Sequence, residues 1–176
     1  MRFLIIIGLV IVILVYLGIK AIKIKGRLYG CMNYIEEWLQ FKASAEVASL
    51  SQPQAYSIHA VFLLVYDTFL NQNEYGYKVK SLINAWSKAT NTQNIQAQKW
   101  KNGQNLETII EQLDTIEDKQ IRWFIFLSAY CIMDCVSKVS ERKIAESKIM
   151  MFNRIFFDIG FTPESKEMAF NTIYKR

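Results

Sequence analysis

The sequence is poor in residues that interrupt helices, with two prolines and seven glycines among its 176 residues. Proline removes a backbone donor and glycine is costly inside a helix, so their scarcity permits long helices. Apolar residues recur at the spacing of one helix face, and no segment shows the alternation typical of a half-buried strand. The sequence therefore predicts an all-α fold.

Residues that commonly carry catalysis or bind metals are also scarce, with one histidine and three cysteines. Cys131 and Cys135 are one helical turn apart, which differs from the Cys-x-x-Cys spacing of a zinc knuckle. His59 lies in an apolar segment without a nucleophile elbow, and the sequence has no Gly-rich phosphate-binding loop. We therefore expect no catalytic residue, no metal site and no cofactor, and we expect these three side chains to pack in or beside the core.

An odd number of cysteines argues against a disulfide framework and is typical of a reducing compartment. Residues 28–176 contain 16 basic and 16 acidic side chains, so the net charge of +5 comes entirely from residues 1–27. A phosphate-binding surface would need basic residues within the folded part. We therefore expect no nucleic-acid partner.

Residues 3–19 carry no charge and would span about 25 Å as a helix, close to the thickness of the hydrocarbon core of a bilayer. A cleavable signal peptide, the alternative, has a shorter apolar run and small residues at its cleavage site. Here a basic flank follows instead. We expect residues 1–27 to form an uncleaved membrane anchor that contacts lipid through residues 3–19 and is flanked by Arg2, Lys20, Lys23, Lys25 and Arg27.

Four of these five basic residues follow the apolar segment, and the more basic flank of a span normally stays in the cytoplasm. The sequence thus predicts a single-pass protein of the bacterial inner membrane whose residues 28–176 lie in the cytoplasm. About 150 residues suffice for one domain with its own core. We expect a compact bundle of six or seven helices.

Several segments have individual predictions. Residues 54–71 are apolar on nearly all sides and predict a central helix, whereas the polar residues 89–104 predict an exposed, mobile connection. Ser140 is the expected N-cap of a long amphipathic helix that ends near Gly160. Thr162 is the expected cap of a last helix that begins with Pro163.

Four residues are candidates for contact with a partner or ligand: His59, Trp100, Asp134 and Glu141. Trp100 lies in the polar segment "QKWKNG", where it either pins that segment to the core or forms an exposed anchor for a partner. Both alternatives remain open at the level of sequence.

From Trp123 onward, an apolar helix expected to end at Asp134 is followed by "KVSE", which opens the next helix, and then by "FFDIGFTPES". In these features the C-terminal ~50 residues resemble the TerB-type helical domain of tellurite-resistance proteins and the TerB-like region of the membrane-anchored DjlA class of co-chaperones. Cys135 stands where that family has a turn glycine, which leaves Asp134 and Glu141 as the candidates for its acidic site. The resemblance implies a compact all-α module of membrane-associated stress or defence systems that works through protein contacts.

Three functions are compatible with these patterns. The first is a membrane-tethered interaction module, an adaptor that recruits or inhibits a protein partner. The second is an immunity-type protein that neutralises a toxin acting at the membrane. The third is a membrane-bound enzyme or ligand sensor with a pocket between two apolar helices, which predicts a polar cluster of His59, Asp67 and Asp134. The absence of a catalytic motif favours the first.

Overall fold

The computed structural model describes residues 2–175, together with the side chains of all of these except 2–9, 44 and 94. Over these residues it has one 3₁₀ helix (Thr68–Gln72), no strand, and nine α-helices: α1 (Arg2–Phe41), α2 (Ser44–Ala48), α3 (Gln52–Val65), α4 (Glu74–Ala89), α5 (Asn94–Asn102), α6 (Leu106–Asp114), α7 (Lys119–Val139), α8 (Arg142–Asp158) and α9 (Pro163–Tyr174). The prediction of an all-α fold is confirmed. The described helices outnumber the anchor plus six or seven expected, because α2 and α5 lie in segments without a strong helical pattern.

Helix α1 is 40 residues long, about 60 Å at the rise of an α-helix, and it crosses the expected boundary at residues 27 and 28 without a break. In its C-terminal half, Leu28, Met32, Ile35 and Leu39 recur at helical spacing and are at most 2% exposed. In its N-terminal half, the apolar side chains between residues 10 and 19 are 48–66% exposed. One rigid element therefore joins an exposed apolar segment to the core.

The expected anchor lies only partly within the described residues, since the side chains of Arg2 and residues 3–9 fall outside them. Within the part of the chain whose side chains are described, no helix is long and apolar enough to cross a membrane. The anchor therefore stays a prediction.

Helices α3 and α7 form the centre of the bundle, where α3 contacts α5, α6, α7 and α8. The predicted central helix ends at Val65 and not at residue 71. Its early end has a local cause, because the Asp67 carboxylate accepts a hydrogen bond of 2.8 Å from the backbone N–H of Phe69 and starts the 3₁₀ helix. Side-chain capping here competes with continuation of the α-helix.

Two predicted helix ends in the C-terminal part are wrong. Helix α7 continues past Asp134 to Val139, and Ser140 ends it, because the Ser140 N–H still donates to the carbonyl of Val136 at 2.9 Å. The N-cap of α8 is therefore Glu141. The predictions for the last turn hold, since Gly160 has a φ of 88° after α8 and Thr162 caps an α9 that begins at Pro163.

The polar segment 89–104 contains helix α5, so the expected loop is wrong. Ala97 is fully buried, and the Trp100 ring lies half-buried with its centroid 5.9 Å from that of Tyr56 on α3. Of the two alternatives for Trp100, the structure shows the pin. The two apolar residues that pack here, Ala97 and Trp100, are too few to produce a recognisable helical periodicity in the sequence.

Candidate interaction surfaces

Helices α1 and α4 run in the same direction and leave a groove between them. Lys25, in the second half of α1, pairs with Glu74 at the start of α4, and further along both helices the rings of Trp38 and Trp86 lie 6.4 Å apart. The groove has a volume of about 730 Å³ and opens to solvent. Among the residues whose side chains the structure describes, its lining comes from two helices: Glu36, Leu39 and Gln40 of α1, and Tyr77, Lys80, Ser81, Asn84, Ala85, Lys88 and Ala89 of α4.

This groove, hereafter the α1/α4 groove, has three aliphatic residues among a mostly polar lining, and its α4 edge is basic. Leu39 is 2% exposed, and Ala85 and Ala89 are half-buried beside it. On the edge, Lys80 and Lys88 are exposed. The only acidic side chain among the lining residues, Glu36, is paired with Lys78 of α4 at 2.9 Å. The net charge presented to a ligand is therefore positive.

Apart from the groove, a cluster of polar side chains joins α9 to α1 and α7. The Arg27 guanidinium donates to the backbone carbonyl of Tyr174. The Tyr174 hydroxyl donates to the Asp134 carboxylate, and Lys138 donates both to Asp134 and to the Tyr174 hydroxyl, the latter at 2.6 Å. Burial and the hydrogen bond to Asp134 raise the pKa of Tyr174, so the phenol stays protonated.

This cluster includes residues that the sequence did not single out. Lys138 follows Asp134 at i,i+4, a visible helix-pair signal, but nothing marks Tyr174, which is 40 positions away. Asp134, which is predicted as a partner contact, accepts hydrogen bonds from Lys138 and Tyr174 and so connects α7 with α9.

The basic flank divides into two pairs. Lys25 pairs with Glu74 and lies 5.5 Å from the ring centroid of Tyr29, while Arg27 caps the end of α9. Both side chains thus bind the domain itself. Lys20 and Lys23, which precede Arg27 by about two turns and about one turn of α1, are exposed. The sequence could not separate these pairs, because all four residues have the same charge and similar spacing.

His59 is a core histidine, 1% exposed, on α3. Its Nε2 lies 3.1 Å from Thr90 Oγ1, and the Thr90 hydroxyl donates to the carbonyl of Trp86 at 2.8 Å. Because the Thr90 hydroxyl already donates its proton to Trp86, its oxygen can only accept a hydrogen bond from His59. The network therefore assigns the imidazole proton to Nε2. Burial lowers the pKa of His59 to about 4, so the ring is neutral near pH 7.

The candidate residues do not form one site. Glu141 is exposed at the start of α8, with no capping hydrogen bond from its side chain, and Trp100 packs on α3. Asp67 caps the 3₁₀ helix, His59 bonds Thr90, and Asp134 bonds Lys138 and Tyr174. His59, Asp67 and Asp134 therefore each bond to different partners.

The three cysteines are buried free thiols. The Sγ atoms of Cys31 and Cys131 lie 4.0 Å apart, and the contact with Cys31 together with burial raises the pKa of Cys131. Burial also raises the pKa of Cys135 to about 12. No group of three His, Cys, Asp or Glu residues suited to a metal ion occurs among the described residues.

No protein-family model, curated protein or solved structure matches this chain. The resemblance of the C-terminal residues to the TerB-type domain therefore stays a prediction.

Proposed function

We propose that this chain is a membrane-tethered helical interaction module, an adaptor that recruits or inhibits a protein partner at a membrane. The observation that carries the proposal is the continuity of α1, which joins exposed apolar residues 10–19 to the buried stripe of Leu28, Met32 and Ile35 without a loop. Apolar surface exposed on every side of a helix is unfavourable in water and favourable in lipid.

The flank residues support an orientation for this tether. Lys20 and Lys23 are free to reach anionic headgroups, where each contributes about 1 kcal/mol. Lys25 and Arg27 bind Glu74 and Tyr174, so the domain would sit directly against the end of the span. The excess of basic residues after the apolar segment favours a position of the domain on the cytoplasmic side of an inner membrane.

Binding is better supported than catalysis by the described surfaces. The α1/α4 groove is open and combines aliphatic with polar and charged side chains, as protein-binding surfaces do, while His59, Asp67 and Asp134 have separate structural roles. A tether raises the effective concentration of a partner at the membrane, so modest contacts suffice. The resemblance to TerB-type domains favours a stress or defence setting, and an immunity-type role would be the case of one tight toxin partner.

The tether is tested by alkaline extraction of membranes from cells that express the full chain. The wild type is expected to stay in the membrane fraction. A Val12→Lys/Val15→Lys variant is expected to leave it, because lysine near the middle of a span costs roughly 3 kcal/mol per residue. Release of the wild type by alkali would overturn the tether.

The interaction role is tested by crosslinking cells gently and purifying the tagged full chain in mild detergent. A stoichiometric protein partner is expected. Recovery of the chain alone would overturn the adaptor.

A further inference from the structure

We propose that the α1/α4 groove binds an acidic amphipathic α-helix of a partner protein. This inference rests on the proposed function, because it uses the tether to distinguish a protein ligand from a lipid. Three observations carry it: the shape of the groove, the charge along its edge and its distance from the expected membrane surface.

The shape fits a helix. On α4 the lining residues recur every three or four positions from Tyr77 to Ala89, a stripe about 18 Å long at the rise of an α-helix. The small side chains of Ser81 and Ala85 in this stripe leave room for another helix to approach α4 closely. A helix of about three turns matches this length, and its apolar stripe would cover the three aliphatic residues.

The charge selects an acidic ligand. Lys80 and Lys88 are eight positions apart on α4, about 12 Å along the helix, and in the part of the chain that the structure describes neither forms an ion pair. Glu36 does not compensate them, because it is bound to Lys78. Two carboxylates spaced two turns apart beside an apolar stripe would match both lysines.

The distance disfavours anionic lipid as the occupant. Glu36 and Gln40 lie 16 and 20 residues beyond Lys20 on the same unbroken helix, which is about 24–30 Å along its axis. The field of a charged membrane falls off within a Debye length, roughly 8 Å at physiological salt. The α1 side of the groove would therefore lie well above the headgroups and face proteins.

The test uses the full chain in nanodiscs of zwitterionic lipid and three synthetic amphipathic helices. The peptides share one Leu/Ala stripe and carry glutamate, glutamine or lysine at two flanking positions two turns apart. Binding is measured by fluorescence anisotropy at low salt against empty nanodiscs. We expect the glutamate peptide to bind tightest and high salt to weaken it, as rim charges act mainly through steering.

Charge reversal identifies the surface. Lys80→Glu/Lys88→Glu is expected to lower the affinity for the glutamate peptide about fivefold or more, because each exposed ion pair contributes a few-fold. The same variant is expected to raise the affinity for the lysine peptide. The matched control is Lys119→Glu/Lys143→Glu, which makes the same charge change at exposed positions outside the groove. This control should leave the affinity for both peptides unchanged.

Equal binding of the three peptides, no binding of any, or equal losses in the two double variants would each overturn the proposal. The outcome is separable from that of the proposed function. If a copurifying partner stays bound to Lys80→Glu/Lys88→Glu, the adaptor stands and the groove is not its site. If alkali releases the wild type from membranes, the tether fails whatever the peptides show.

Discussion

The thiols of Cys31 and Cys131 lie 4.0 Å apart in the core, although 100 positions separate them in the chain. Seven residues further along α1 and seven residues earlier on α7, the rings of Trp38 and Phe124 stack with centroids 3.8 Å apart. The two helices therefore pack antiparallel over two turns. The second half of α1 is a structural element of the domain, and the first half projects from it.

Burial of the cysteines predicts slow thiol chemistry. All three thiols are at most 7% exposed, and burial raises the pKa of Cys131 and Cys135, which disfavours the reactive thiolate. The folded chain in mild detergent is expected to react slowly with a disulfide reagent, and three thiols should react promptly in denaturant. Prompt reaction of Cys31 or Cys131 in the folded protein would contradict the packing of α1 on α7.

The two halves of α1 should differ in their contribution to stability. Ile35→Ala removes a fully buried side chain and is expected to lower the free energy of unfolding by about 2–5 kcal/mol. The matched control is Ile22→Ala, because Ile22 is 72% exposed on the same helix and its truncation should change stability by at most about 0.5 kcal/mol. Chemical denaturation followed by tryptophan fluorescence measures both. Equal effects would show that α1 does not enter the core.

The bond between Tyr174 and Asp134 should hold α9 in place. Tyr174→Phe removes the hydroxyl donor and leaves a mostly buried carboxylate with Lys138 alone, so we expect the free energy of unfolding to fall by about 1–2 kcal/mol. Tyr77→Phe is the control, since Tyr77 is 81% exposed and should be neutral. Hydrogen exchange of α9 amides is expected to accelerate in Tyr174→Phe only, and unchanged exchange would contradict the cluster.

His59 makes stability depend on pH in a defined window. Its folded-state pKa of about 4 lies below the ordinary value of 6.5, so between these values the unfolded chain binds a proton that the folded chain does not. Stability is therefore unaffected by His59 above pH 6.5 and falls by about 3 kcal/mol as the pH drops to 4.

The His59 effect is measured as the free energy of unfolding against pH. His59→Gln retains a donor for Thr90 and cannot titrate, so its stability should change less between pH 6.5 and 4 than that of the wild type. Parallel curves for the two proteins would show that another group causes the dependence.

Sequence reasoning succeeded where the signal is local. Thr162 and Pro163 mark the start of α9 and Gly160 follows the end of α8, because capping depends on neighbouring residues. It failed at Ser140, because the Ser140 N–H is still hydrogen-bonded within α7. It also failed at α5, which packs on α3 through the contact of Trp100 with Tyr56 and shows no helical periodicity in its sequence. These outcomes depended on bonds and contacts that no pattern along the chain displays.

The sequence by itself determined the all-α class, the apolar segment of residues 3–19 and the basic flank that follows it, because periodicity, length and charge are properties of consecutive residues. Only the tertiary structure decided which flank residues bind the domain. Arg27 reaches Tyr174 across 147 positions, and the α1/α4 groove exists because two separate helices pack side by side. Contacts between distant residues depend on how helices dock, which the order of residues does not display.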